Sequence, residues 1–263
     1  NPYIIIDGEL KSDGANLALM DSSGTLTIPD GVTAIGEGAF ADLSGLKTII
    51  IPGTVKEIRQ NAFRNNADLE NVILQEGVEV IGYRAFQECG NLKNVELPES
   101  LIEIGAGAFF RCSSINNIII PSKIEIINAY TFYYCTSLTN IELPDGLQTI
   151  GGWSFQNCTS LEEIYIPGSV NSINSTAFMN CTSLNNIEVA SGNQHYKYDE
   201  ASGMLITTDG TNIVFISAAI LRSTNTLNIP QGVTSFTTDI SEYRNITTII
   251  IPTSLERIGT AEI

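Results

Sequence analysis

Phenylalanine recurs at positions 40, 63, 86, 109, 132, 155 and 178, each 23 residues from the last. A fixed period of this size means one small unit repeated along the chain, and a unit that short buries its apolar side only by stacking on its neighbours. Two further columns keep the same step. Isoleucine stands five residues before each Phe (Ile35, Ile58, Ile81, Ile104, Ile127, Ile150, Ile173), and Leu46, Leu69, Leu92, Ile115, Leu138, Leu161 and Leu184 stand six after it. Apolar pairs from Ile49/Ile51 to Ile187/Val189 precede a proline or its substitute. Their alternation predicts a short strand with one face buried, ended by Pro52 and its counterparts because proline cannot donate to a ladder. Val55 and Ile58 predict a second, shorter extended segment. The small residue before each Phe (Ala39, Ala62, Ala85, Ala108, Thr131, Ser154, Ala177) predicts a tight helical or 3₁₀ turn that drops the ring into the core. Gly36, Gly82, Gly105 and Gly151 share a register with Arg59, Asn128 and Asn174, and a Gly/Asn register predicts left-handed backbone. The fold expected is a strand-dominated solenoid, a horseshoe or rod.

Two stretches break the period and resemble each other. Gly8-Glu9-Leu10 followed by Asp13-Gly14 parallels Gly203-Met204-Leu205 followed by Asp209-Gly210. Asp-Gly between apolar runs predicts a hairpin. The whole chain then reads as a single repeat domain, 1–263. It comprises an N-terminal hairpin cap at 1–25, regular units at 26–189, an inserted hairpin module at 190–226 and irregular terminal repeats at 227–263. Ile263 falls partway into a unit, which reads as either a trimmed C-terminus or an atypical cap. Asn1-Pro2 does not read as a natural start, so any export signal is expected outside this sequence.

Composition narrows the function. The chain has 263 residues, 43% hydrophobic, with a formal net charge of −16. Nucleic acid and anionic membrane surfaces are poor partners for such a chain, because phosphate binding needs clustered Lys and Arg. No apolar run approaches the roughly 18 residues of a membrane helix. His195 is the sole histidine, with Asp199 and Glu200 nearby. No G-x-S-x-G, phosphate-loop or H-E-x-x-H pattern accompanies it, so no catalytic residue, metal or cofactor is expected. Cys89, Cys112, Cys135, Cys158 and Cys181 lie three residues after successive Phe residues, a register held by Leu43 and Asn66 in the first units. They read as a buried ladder of free thiols. Side chains stacked about 4.8 Å apart exceed the usual Cβ separation of a disulfide, about 3.5–4.5 Å, and the odd count leaves one over.

The unit resembles the BspA-type leucine-rich repeat, as in Asp30-Gly31-Val32-Thr33-Ala34-Ile35-Gly36 … Ala39-Phe40 and Leu138-Thr139-Asn140-Ile141-Glu142-Leu143-Pro144, with an Asp-Gly-Thr module at 209–211. The resemblance implies a leucine-rich-repeat solenoid in a secreted or surface-anchored bacterial protein. It further implies an adhesive or interaction role, toward a host or bacterial surface protein or a glycan, without catalysis. The family has no universal ligand motif, so no binding residue carries over. A monomer is expected. A rigid structural spacer within a larger surface protein is the alternative.

Two surfaces are candidates for a ligand. On the leading strand, outward positions give an Asn-rich column and a second, variable column containing Ile50, Ile73, Ile119 and Tyr165. The Asn column also reads as a ladder bonding neighbouring turns. Around the Phe turns, stacking is expected to gather Phe110, Tyr130, Tyr133, Tyr134 and Trp153, the sole tryptophan. Exposed aromatics on a rigid scaffold suit protein and glycan contacts.

Overall fold

The computed structural model describes residues 4–11, 19–236, 240 and 244–258. The chain winds about ten times as a strand-dominated solenoid with almost no helix. Each regular turn contributes a leading strand, such as Thr48–Ile51, and a two-residue strand, such as Glu57–Ile58, followed by the Phe turn. Leading strands pair in parallel at a 23-residue offset, as Ile49↔Val72 and Val72↔Val95. The two-residue strands form a second parallel ladder, as Ile35↔Ile58 and Ile58↔Ile81. Alternation along the leading strands is as the pattern requires: Ile49 and Ile51 are buried and Thr48 and Ile50 half-buried.

The core is a column. Phe40 to Phe178 stack ring on ring, with centroids 5.3–5.6 Å apart and planes within 3–11°. The column ends edge-on against Phe215, 6.1 Å away at 74°. Phe215 belongs to a three-stranded antiparallel sheet, Tyr196–Asp199, Met204–Thr207 and Ile213–Ile216. Its second and third strands are buried on both faces. Leu205, Val214 and Phe215 join the main core, while Met204, Ile206, Ile213 and Ile216 join a second core with Leu227, Ile229, Val233 and Phe236. The sheet therefore acts as a plug between two stretches of solenoid. Its Asp209-Gly210 turn is fixed by the carboxylate, which accepts from the Thr207 and Thr211 hydroxyls and from Thr211 N–H; these bonds hold the Asp209 carboxyl below its ordinary range.

At the other end, Ile4–Ile6 and Glu9–Lys11 form a hairpin whose second strand joins the two-residue ladder beside Ala34–Ile35. Its turn is Asp7-Gly8, both left-handed (φ 51° and 81°). The turn expected at Asp13-Gly14 lies outside the described residues.

The left-handed glycine register is corrected. Gly36, Gly82, Gly105 and Gly151 do not have positive φ. Glycine is needed there for close approach instead: a Cβ on Gly82 would lie 2.8 Å from the Ile58 carbonyl oxygen, and one on Gly151 2.8 Å from the Ala129 nitrogen. Backbones of successive turns touch at this point. Around the Phe turns, left-handed residues fall two before and two after each Phe from Phe40 to Phe155, and two after Phe178.

All five cysteines are free and buried. Each Sγ–H donates to the carbonyl of the Phe one unit back, at 3.1–3.3 Å. Asn66, in the same register, donates from Nδ2 to the Phe40 and Phe63 carbonyls at 2.8 Å. The ladder is thus a column of donors as well as of small apolar volumes. Burial pushes the Cys89 and Cys181 thiols up to about 12. A raised thiol pKa means the folded state holds its proton more tightly, so this contribution is complete below the unfolded value, about 8.5, and is lost as pH rises beyond it. Ellman's reagent at pH 8 is accordingly expected to find no reactive thiol in the folded protein and all five in denaturant. Stability is expected to fall only above about pH 8.5. Rapid native labelling of any of the five would contradict the buried ladder.

Candidate functional site

The Phe turns have an alternating hydrogen-bond scheme. In one unit Ala62 and Arg64 N–H donate within the turn, to Arg59 and Asn61 carbonyls, while Asn61, Phe63 and Asn65 N–H donate forward, to Tyr83, Ala85 and Gln87 of the next unit. The first and last forward donors are the left-handed residues. Seven of these positions hold Gly, Asn or Asp (Gly38, Asp42, Asn61, Asn65, Gly107, Asn157 and Asn180), and three hold long charged side chains (Arg84, Glu88 and Arg111). The remaining three are filled by aromatics, Tyr130 (φ 60°), Tyr134 (φ 61°) and Trp153 (φ 55°). Left-handed backbone costs an ordinary L-residue roughly 1–2 kcal/mol. Large exposed rings are therefore held against local backbone preference in two adjacent turns.

These rings meet. Phe110 stacks on Tyr133 (4.7 Å, 7°) and Tyr130 on Trp153 (5.1 Å, 11°), and Tyr130 lies edge-on to Tyr133 at 5.8 Å. Tyr134 tilts against Tyr133 at 5.2 Å. Tyr130, Tyr134 and Trp153 remain 37%, 40% and 38% exposed. All five aromatics of the Phe-turn candidate surface are thus one strip.

Two arginines extend it. The Arg84 guanidinium carbon lies 4.9 Å from the Tyr83 ring centre and 5.9 Å from that of Phe110; that of Arg111 lies 5.6 Å from Phe110 and 5.5 Å from Tyr134. Gly107 leaves room for the contact of Arg84 with Phe110. It stands between Arg84 and Tyr130 in the column two before Phe, and the Arg84 Cγ passes 3.2 Å from where a Gly107 Cβ would sit. Tyr83 was invisible to column reading, because its register elsewhere holds Glu37, Gln60, Ala106, Ala129, Gly152 and Ser175.

The strand-face candidates are not gathered in the same way. Pairing runs Ile50↔Ile73↔Glu96 in one sheet, Ile119↔Glu142 in another and Tyr165↔Glu188 in a third. Glutamates separate the exposed Ile73, Ile119 and Tyr165, and Ile50 is only half-exposed. Tyr165 borders a shallow depression of about 350 Å³ with Glu142, Glu163 and Glu188. The Asn column is a partial ladder: Asn94 donates to Asn71 at 2.7 Å, Asn71 to Thr48 at 3.2 Å, and Asn186 to Glu163 at 3.3 Å.

His195 is exposed, and its backbone N–H donates to Asn193 Oδ1. The Asp199 carboxylate accepts from the N–H and hydroxyl of Ser202 in its own turn. Among the described residues no three His, Cys, Asp or Glu side chains group as a metal site. No described helix is long and apolar enough to cross a membrane.

The BspA type leucine rich repeat signature matches residues 20–126, 103–207 and 206–262, in 6 copies. The chain belongs to the BspA-type leucine-rich repeat family. Among solved structures it is similar to a leucine rich cell surface protein of Faecalibacterium prausnitzii (23% identity, TM-score 0.69, covering 98% of this chain and 74% of that one). It is similar also to the pneumococcal vaccine antigen PcpA (18% identity, TM-score 0.60, 97% and 74%) and to a leucine-rich repeat protein of Bacteroides ovatus (21% identity, TM-score 0.50, 98% and 82%). At these identities the likeness is one of fold. No curated protein matches the sequence. The 23-residue BspA-type unit accounts for the two parallel ladders and the Phe column. The aromatic strip is an addition made by particular units, since other units hold Gly, Asn, Asp, Arg, Glu or Thr at the positions of Tyr130, Tyr134 and Trp153.

Proposed function

We propose that this BspA-type solenoid is a non-catalytic interaction module, working outside the cell, that binds a protein or glycan through the strip from Tyr83 to Trp153. One observation carries the reading: Tyr130, Tyr134 and Trp153 hold large exposed rings at left-handed positions and, with Phe110 and Tyr133, join into one strip. Rings kept exposed against their own backbone preference contribute little to the fold. Strain of this kind concentrates where a surface is used. The extracellular setting is supported by the family and by the cell-surface description of the Faecalibacterium protein.

The test is Trp153→Asn combined with Tyr134→Asn. Each change relieves roughly 1–2 kcal/mol of backbone strain and removes a ring contact worth about 0.5–1.5 kcal/mol. Folding stability is therefore expected to stay within about 1 kcal/mol per site, while binding to a panel of matrix proteins, mucins and glycans falls at least tenfold. Unchanged binding would move the site to the strand face around Tyr165. An absence of binding in the parent protein would favour a second reading, a stiff spacer, for which the unbroken Phe column over residues 40–178 speaks.

A further inference from the structure

We infer that the ligand of this strip is a carboxylate-bearing sugar, with Arg84 as the residue that receives the carboxylate. The inference rests on the strip being the binding surface, and it goes further by assigning the ligand's chemistry and charge.

The first argument is the state of Arg84. Among the described arginines near acids, Arg59 is paired with Glu9 and Glu57, Arg64 with Asp42, and Arg111 with Glu88. The Arg84 guanidinium makes no ion pair and no hydrogen bond with any described residue; it lies against the rings of Tyr83 and Phe110. A guanidinium steadied by two rings keeps its N–H fork oriented and unspent. That fork matches a carboxylate in two-point geometry. Arg222, Arg244 and Arg257 also lack an ion pair among the described residues; Arg84 differs from them in lying against two aromatic rings of the strip. Gly107 reinforces this, because any side chain there would meet the Arg84 stem.

The second argument is the character of the neighbouring groups. The strip offers ring faces and edges in Phe110, Tyr130, Tyr133 and Trp153, and its polar tips are unspent. The phenol oxygens of Tyr83, Tyr130, Tyr133 and Tyr134 and the indole N–H of Trp153 form no hydrogen bond within the described protein. A pyranose presents C–H groups on its faces and hydroxyls around its rim. It can lie on rings and exchange hydrogen bonds with their tips at once, which an aliphatic or purely acidic peptide cannot. Ring faces, free hydroxyls and one free guanidinium in sequence along the coil therefore fit an acidic glycan. Hexuronates and sialic acids share this chemistry.

Trp153, the sole tryptophan, makes the test direct. The whole chain is titrated, following Trp153 fluorescence and calorimetry, with tetragalacturonate and its methyl ester, with 3′-sialyllactose and lactose, and with hexaglutamate. The expected result is at least tenfold tighter binding of one acidic sugar than of its neutral counterpart. Arg84→Gln is expected to abolish that preference, while Trp153→Asn, read by calorimetry, weakens acidic and neutral forms alike. Whichever acidic arm binds identifies the source of the carboxylate. Equal binding of acidic and neutral forms, a preference that survives Arg84→Gln, tighter binding of hexaglutamate, or no acidic-sugar binding at millimolar concentration would each overturn the inference. In the first three cases the strip itself stands if Trp153→Asn still weakens binding, and falls with the inference if it does not.

Discussion

Phe109→Ala is expected to destabilise the protein by about 3–5 kcal/mol, the usual range for removing a buried aromatic ring. Phe109 is fully buried, and its ring is stacked at 5.6 Å on Phe86 below and on Phe132 above. Each face loses its partner contacts, because the backbones of adjacent turns are fixed by the Phe86, Phe109 and neighbouring N–H bonds and cannot close the gap. A solenoid transmits such a loss in a particular way. Its stability is nearly a sum of unit and nearest-neighbour terms, so weakening the 86/109 and 109/132 interfaces weakens the coupling between the two halves. Guanidinium unfolding is expected to show an earlier midpoint, with a broadened or two-step transition. Thermal melting should drop by about 10 °C, taking roughly 2–4 °C per kcal/mol for a chain of this size. A loss below 1 kcal/mol with an unchanged single transition would mean that the ring column is not what couples the turns.

Much of this column could be read directly from spacing. Phe, Ile and Leu at a common 23-residue step name the core because core packing is the one demand every unit shares. The leading strand was legible for the same reason: Ile49 and Ile51 alternate with Thr48 and Ile50. What a period cannot convey is backbone geometry at positions filled by several residue types. Gly82 and Gly105 were legible as special, yet the physical cause was mistaken. A small residue can signal positive φ or close approach, and only three-dimensional neighbours distinguish them. The true left-handed positions were hidden because Arg84, Glu88, Arg111, Tyr130, Tyr134 and Trp153 disguise registers that Gly38, Asn61 and Asn157 would have revealed. The cysteines read as volume; their second role, donating to Phe carbonyls one unit back, depends on how turns stack. The strip's aromatic members were legible by column, whereas the reach of Arg84 across Gly107 to Phe110 was not, since it links positions 26 apart through the absence of a side chain. Segmentation of the leading ladder, which scatters Ile73, Ile119 and Tyr165 among glutamates, likewise depends on how the turns pack.

Gly105→Ala is expected to cost as much as the most severe overpacking substitutions, about 3 kcal/mol. A Cβ there would lie 2.6 Å from the Gly82 carbonyl carbon and 2.6 Å from the Tyr83 nitrogen. Both obstacles are backbone, so no rotamer change relieves them, and the two turns must separate. Their separation would stretch the bond from Gly105 N–H to the Ile81 carbonyl, now 2.7 Å. Gly31→Ala supplies the control. Gly31 is left-handed at φ 90° with nothing within 4 Å of its added Cβ, so alanine there brings conformational strain alone, roughly 1–2 kcal/mol. Chemical unfolding of the two variants side by side should rank Gly105→Ala clearly above Gly31→Ala; the reverse order would show that the turns separate at Gly105 at little cost and that close backbone contact is not what requires glycine in this register. The clash also reaches the proposed binding surface. Tyr83 and Arg84 ride on the Gly82 backbone, and Gly107 lies two residues beyond Gly105. Forcing residues 82–84 away from 105–107 moves the Arg84 guanidinium off Phe110. Gly105→Ala should therefore impair acidic-sugar binding even at temperatures where the variant remains folded, whereas Gly31→Ala should not. The contact that lets the turns stack at full density is the same one that holds Arg84 in its place.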